Sequence, residues 1–203
     1  MRLCECVGDM MGARKKYRIQ ASTTTNTYVY CWIAACDALK KAQEHQQGWF
    51  YFAMMAGVFA AFTVEGYLNH LGQKRVHDWN EIERKLGPRE KLLLLRNMLH
   101  LSVDIARRPF QTLSDMLRLR DALVHGKTLT VTSNNVVGDP DDEKARYPQP
   151  DWKKLCNLSS VERMVEDAEK MVRHLCTQSG SKRDPFVSPG GGSSGGVEEI
   201  KAE

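Results

Sequence analysis

Three side chains near one helix end have the types and spacing that chemistry needs: Arg120, Asp121 and His125, in Arg120-Asp121-Ala122-Leu123-Val124-His125-Gly126. His125 suits general acid or base work, because a free imidazole titrates near pH ~6.5. Arg120 offers a permanent charge in a planar fork that matches phosphate oxygens. Asp121 and His125 lie four residues apart, so on a helix they are close enough to touch, and the carboxylate could then fix the imidazole tautomer. Such a set suits the cleavage of RNA, whose 2′-hydroxyl is already a nucleophile and needs a base, an acid and a cation for the phosphate. The scheme calls for no metal and no cofactor.

The element that must position these groups is a helix from Phe110 to Gly126, with Pro109 suited to its first turn and Gly126 to the residue just past its last. At about 100° per residue, Phe110, Leu113, Met116, Leu117, Leu123 and Val124 fall on one apolar stripe. Arg120 falls in the middle of that stripe, where amphipathicity alone would put another Leu. A structural account is available for both residues. An Arg inside an apolar stripe is often half of a buried ion pair, and a His near a helix C-terminus suits the carbonyl end of the dipole.

Upstream, Gly48 to Val64 is a run of 17 residues without a charge, ending directly before Glu65-Gly66-Tyr67-Leu68-Asn69. Its length is at the lower limit for a bilayer of about 30 Å, and its apolar residues go nearly all the way round. The sequence therefore predicts a buried central helix of a soluble bundle, closely packed through Ala53, Ala56, Gly57, Ala60 and Ala61, with no membrane partner. Glu65 and Asn69 are one turn apart on a side shared with Met54, Val58, Ala61 and Phe62. A carboxylate there costs several kcal/mol unless paired, and Arg120 is the expected partner.

The spelling of Arg120 to His125, with Glu65 and Asn69 in an apolar helix before it, resembles the HEPN domain family, whose signature is an Arg, a polar residue, a few intervening residues and a His at a helix end. The resemblance runs from about Ala34 to about Cys176 and is one of pattern and helix order. It implies an all-α fold, an antiparallel helix bundle. It also implies a metal-independent endoribonuclease of a toxin–antitoxin or antiviral system, acting as a homodimer with two signatures facing one cleft. Arg120, His125 and Asp121 would then be catalytic, with Glu65 and Asn69 in support, RNA the substrate, and an antitoxin or other protein a partner. Other members of the family are regarded as non-catalytic binding or scaffold domains.

The rest of the chain fits one domain with tails. Residues 1–24 read as a flexible polar and basic arm, with Arg14-Lys15-Lys16-Tyr17-Arg18 as its charge run. Residues 25–178 read as the helical domain, and residues 179–203 as a disordered Gly/Ser-rich tail with almost nothing to bury. Within the domain, Thr23 to Trp32 suits a short strand or an extended lead-in. Asp78 to Arg84 reads as a short helix, and Pro88 opens a helix from Arg89 to about Ala106. A small β-hairpin is expected after the signature helix, from Thr128-Leu129-Thr130-Val131-Thr132 through Asn134-Asn135 to Val136-Val137. Gly138 to Pro150 is an acidic loop. Ser159 with Glu162 forms a capping box for a last helix striped by Val161, Met164, Val165, Ala168, Met171, Val172 and Leu175.

A formal charge of +4 and a pI near 8.7 allow RNA as a partner without arguing for it. Cys4, Cys6, Cys31, Cys36, Cys156 and Cys176 show no paired framework. Reduced thiols and a cytoplasmic location follow as the expectation, and no apolar signal segment opens the chain. Phosphate loops, GxSxG, HExxH and metal-ligand His spacing are absent from the sequence. Two readings stay open: an endoribonuclease using Arg120 and His125, or a helical interaction module in which Arg120 and Glu65 hold the core.

Overall fold

The computed structural model describes residues 16–134, 143–187 and 190–200. Most of them are helical, and the remainder include one two-stranded antiparallel sheet. The chain divides into two units, the helical residues 26–189 and a sheet unit drawn from both ends.

Helix α2 (Trp49–Arg75) grows from the apolar run, and Ala53, Ala56, Gly57, Ala60 and Ala61 are buried in it. Small residues let a neighbour come close. That neighbour is α1 (Thr27–Glu44), whose own buried line is Val29, Ala35, Ala38 and Ala42. A Cβ added at Gly66 would stand 3.1 Å from the Tyr28 Cβ, so the two helices cross almost backbone to backbone. Gly48 ends the short connection at φ 80°, a left-handed conformation that glycine adopts without a Cβ penalty. So short a join makes α1 and α2 antiparallel.

Burial of α2 is one-sided rather than complete. Tyr51 and Met55 face solvent, and half of the helix's apolar window is buried, in a helix long and apolar enough by composition to cross a membrane. The extended lead-in expected over Thr23–Trp32 is also corrected. Strand residues stop at Thr25 and helix begins at Thr27, because Tyr28 is buried edge-on against Tyr67 at 5.1 Å between ring centroids.

After α2 come α3 (Trp79–Ile82), a 3-10 turn (Glu83–Lys85) and α4 (Pro88–Met98) with Pro88 in its first turn. The helix expected to continue to Ala106 stops at Met98. His100 takes a left-handed φ of 51°, and the Leu101 N–H reaches back to the Arg96 carbonyl at 3.0 Å, a Schellman-type stop. Leu101 and Val103 are then buried at extended spacing. Gly72 of α2 faces the buried Trp79 indole so closely that any Cβ would fall inside the ring's van der Waals surface. Gly72→Ala is therefore expected to destabilise the fold by about 1–3 kcal/mol, despite the better helix propensity of Ala, as read by denaturant unfolding.

The signature region is a 3-10 turn (Phe110–Thr112) followed by α5 (Leu113–Val124), with His125 as its C-cap. Its buried line is Phe110, Leu113, Met116 and Leu119, while Val124, expected on the stripe, is exposed. No strand forms over residues 126–134, and the return strand of the expected hairpin, with Asn135, lies outside the described residues. Short helices α6 (Glu143–Arg146) and α7 (Asp151–Lys154) precede α8 (Leu158–Gln178). Every residue of the predicted α8 stripe is buried. The cap is Asn157 rather than Ser159: its side chain accepts from the Ser160 N–H at 2.9 Å, and the Ser159 hydroxyl donates to the same oxygen. Helices α1, α4, α5 and α8 all pack against α2.

Residues after Gln178 are not the featureless tail expected. Phe186 is buried and stacks on Trp32 at 4.3 Å, Tyr28 donates its hydroxyl proton to the Pro185 carbonyl, and Arg173 pairs with Asp184 at 2.9 Å. In the sheet unit, β1 (Lys16–Thr25) pairs antiparallel with β2 (Gly190–Ile200), in a register from Thr25↔Gly190 to Lys16↔Ile200. Both the polar arm and the Gly/Ser tail are thus in part strands, because each supplies the backbone hydrogen bonds the other lacks.

Candidate functional site

Glu65 on α2 and Arg120 on α5 meet as the lone charges of their apolar faces suggest. Arg120 Nη1 donates to Glu65 Oε2 at 2.5 Å, with 16% and 25% of the two side chains exposed. The other edge of the guanidinium holds Asp121, whose Oδ1 accepts from Nε at 2.8 Å and from Nη2 at 2.7 Å. Arg120 is thus gripped from two sides and its plane is fixed.

Lys91 completes the cluster. Its Nζ lies 3.5 Å from Glu65 Oε1, and only 5% of its side chain is exposed. Charged residues are seldom that deeply buried unless paired, and here one carboxylate serves two cations. Two cations and two carboxylates balance. Sequence reasoning missed Lys91, although Pro88, Lys91, Leu92 and Leu95 are the buried residues of α4 and recur at helical spacing.

Of the residues singled out from sequence, the structure brings together Glu65, Arg120 and Asp121. It does not join Asp121 to His125. The carboxylate turns to the adjacent guanidinium, a permanently charged partner that it meets with two hydrogen bonds, so its assigned role as the orienter of His125 is corrected. The backbone N–H of His125 closes the helix on the Asp121 carbonyl at 2.9 Å, leaving the ring exposed at the carbonyl end of α5. Among the described residues no side-chain hydrogen bond or ion pair holds that ring. Asn69 is half-buried beside Glu65, and its Oδ1 is buried without a hydrogen-bond partner.

A second ionic cluster stands apart from this one. Asp167 of α8, 1% exposed, accepts from Arg108 Nε and Nη2, both at 2.8 Å, and from the Thr112 hydroxyl at 2.5 Å. Those hydrogen bonds hold the Arg108 guanidinium pKa above its ordinary value. The cluster ties the start of α5 to α8. It is a brace, with its buried carboxylate fully engaged.

No protein-family model, curated protein or solved structure matches the chain.

Proposed function

We propose that this chain is an HEPN-like, metal-independent endoribonuclease working in the cytoplasm as part of a toxin–antitoxin or antiviral system. The observation that carries the reading is the exposed, unpartnered imidazole of His125 one turn beyond an arginine whose plane is fixed by two carboxylates. In the reaction, a base removes the 2′-hydroxyl proton, O2′ attacks phosphorus, the P–O5′ bond breaks, and an acid gives O5′ a proton. His125 serves as base or acid. Arg120 takes up the extra charge on the phosphate, and the role of Asp121 becomes the alignment of Arg120.

One helix end offers one imidazole, whereas the reaction uses both a base and an acid. A homodimer would bring a second His125 into the same cleft, and an antitoxin or other protein partner would cover it. Incubation of purified protein with RNA in excess EDTA is expected to yield 2′,3′-cyclic phosphate and 5′-hydroxyl ends. The same sequence as DNA, which lacks the nucleophile, is left intact. Cleavage of both, or of neither, would sink the proposal.

A second reading is favoured by one observation: every donor edge of Arg120 facing Glu65 or Asp121 is already engaged. In that reading the chain is a non-catalytic RNA-binding or protein-interaction module, and the Arg120–Glu65 pair is structural. His125→Ala would then change nothing that Arg120→Ala does not.

A further inference from the structure

We propose that a groove along the flank of α5 is a binding subsite for an unpaired base and its flanking phosphates in single-stranded RNA, an inference that rests on the ribonuclease reading above. The open groove has a volume of about 460 Å³ and is lined by residues of α5, of the run 129–131 that follows it, and of 149–155. Arg118 and Ala122 line it from α5, Leu129 and Val131 from the run after α5, and Trp152 and Lys154 from α7. Arg118, Ala122 and His125 recur at i, i+4 and i+7, so the two α5 residues that line the groove share a helix face with the candidate catalytic residue, which does not itself line it.

The chemistry of the lining selects the occupant. Trp152 is half-buried with Phe50 beside it at 6.5 Å between ring centroids, and Leu129 leaves 63% of its surface in water. A flat apolar site of this kind fits a nucleobase face, which every base has, whatever its hydrogen-bonding edge. At the rim, Arg118 pairs with the half-buried Asp115 at 3.6 Å and Lys154 with Asp151 at 2.8 Å, and Arg118, Lys154 and Asp151 are all exposed. Surface pairs of this kind contribute little in water, so both cations are free to turn to a phosphate. Asp151 stays ionised, held below the usual carboxylate range first by Lys154 and then by Arg118, so among the residues that line the groove two cations stand beside one carboxylate, while Asp115, outside the lining, is shared between Arg118 and Arg163. A duplex presents stacked bases and cannot offer Trp152 a free face. An unpaired strand can.

The test uses full-length His125→Ala protein, which retains the groove and cannot cut its probe, with a fluorescent short oligouridine and a duplex RNA of equal length. Binding of oligouridine in preference to duplex is expected. Adding Trp152→Ala should weaken it roughly tenfold. Adding Arg118→Gln should lower the salt slope by about 0.7, a readout that loss of stability does not move. Unchanged affinity and salt slope in both variants would overturn the subsite, as would equal or tighter binding of duplex. An acidic or apolar peptide that occupies the groove while oligouridine does not would overturn it in favour of a protein partner. The ribonuclease reading fails separately, if wild-type protein binds oligouridine through Trp152 and Arg118 yet never cleaves it.

Discussion

Replacing Glu65 by Ala is expected to lower the free energy of unfolding by about 3–5 kcal/mol, the cost of leaving buried charge without its partner. The effect is large because one carboxylate answers two cations. Without it, Lys91 at 5% exposure has no carboxylate within ion-pair range among the described residues, and Arg120 keeps Asp121 alone. Chemical denaturation of the variant and the wild type measures the difference. Restoring an apolar core with Glu65→Leu, Lys91→Met and Arg120→Met together should recover much of the loss, since similar-sized apolar groups replace buried ion pairs at little cost. A loss of under about 1 kcal/mol for Glu65→Ala, the range of an exposed pair, would show that water already screens the cluster.

If the proposed ribonuclease reading holds, His125→Ala is expected to reduce RNA cleavage by about 10²–10⁴-fold, the loss of one acid–base group, while the unfolding curve stays where it was because the ring is exposed. The pairing of outcomes matters more than either alone. On the proposed reading, Glu65→Ala and Arg120→Ala should act on stability and activity together, whereas His125→Ala should act on activity only. Mixing His125→Ala subunits with wild type should give heterodimers of reduced activity if two imidazoles share a cleft. A monomer that cleaves at full rate would leave each His125 to serve both proton steps in turn.

The Glu65–Arg120 contact was legible in the sequence because a lone charge on an apolar helix face has few ways to be satisfied, and two such faces were present. Lys91 was hidden by its neighbours. Among Leu92, Leu93, Leu94 and Leu95 a Lys reads as the solvent side of a helix, and its long aliphatic stem lets it sit on the buried side with its charge at the edge. The orientation of Asp121 was misjudged because the i, i+4 spacing to His125 gives reach without preference, and the adjacent guanidinium wins on charge. The end of α4 was set by a left-handed His100, which no pattern of leucines announces. The sheet was beyond local reasoning altogether: a Gly/Ser-rich strand has weak β propensity, and its partner lies at the other end of the chain.

That sheet has a mechanical consequence. Residues 16 and 200 face each other at one end of the ladder, and residues 25 and 190 at the other, the end at which the chain passes into residues 26–189. Tension applied between residues 16 and 200 loads the outermost hydrogen bonds first and opens the pairs one after another, like a zipper. The helical unit, entered at residue 26, bears no load until the last pair has parted. The two strands thus act as a serial fuse, which lets a tether or a translocating unfoldase peel ten residues of strand at low force before it meets the resistance of the core.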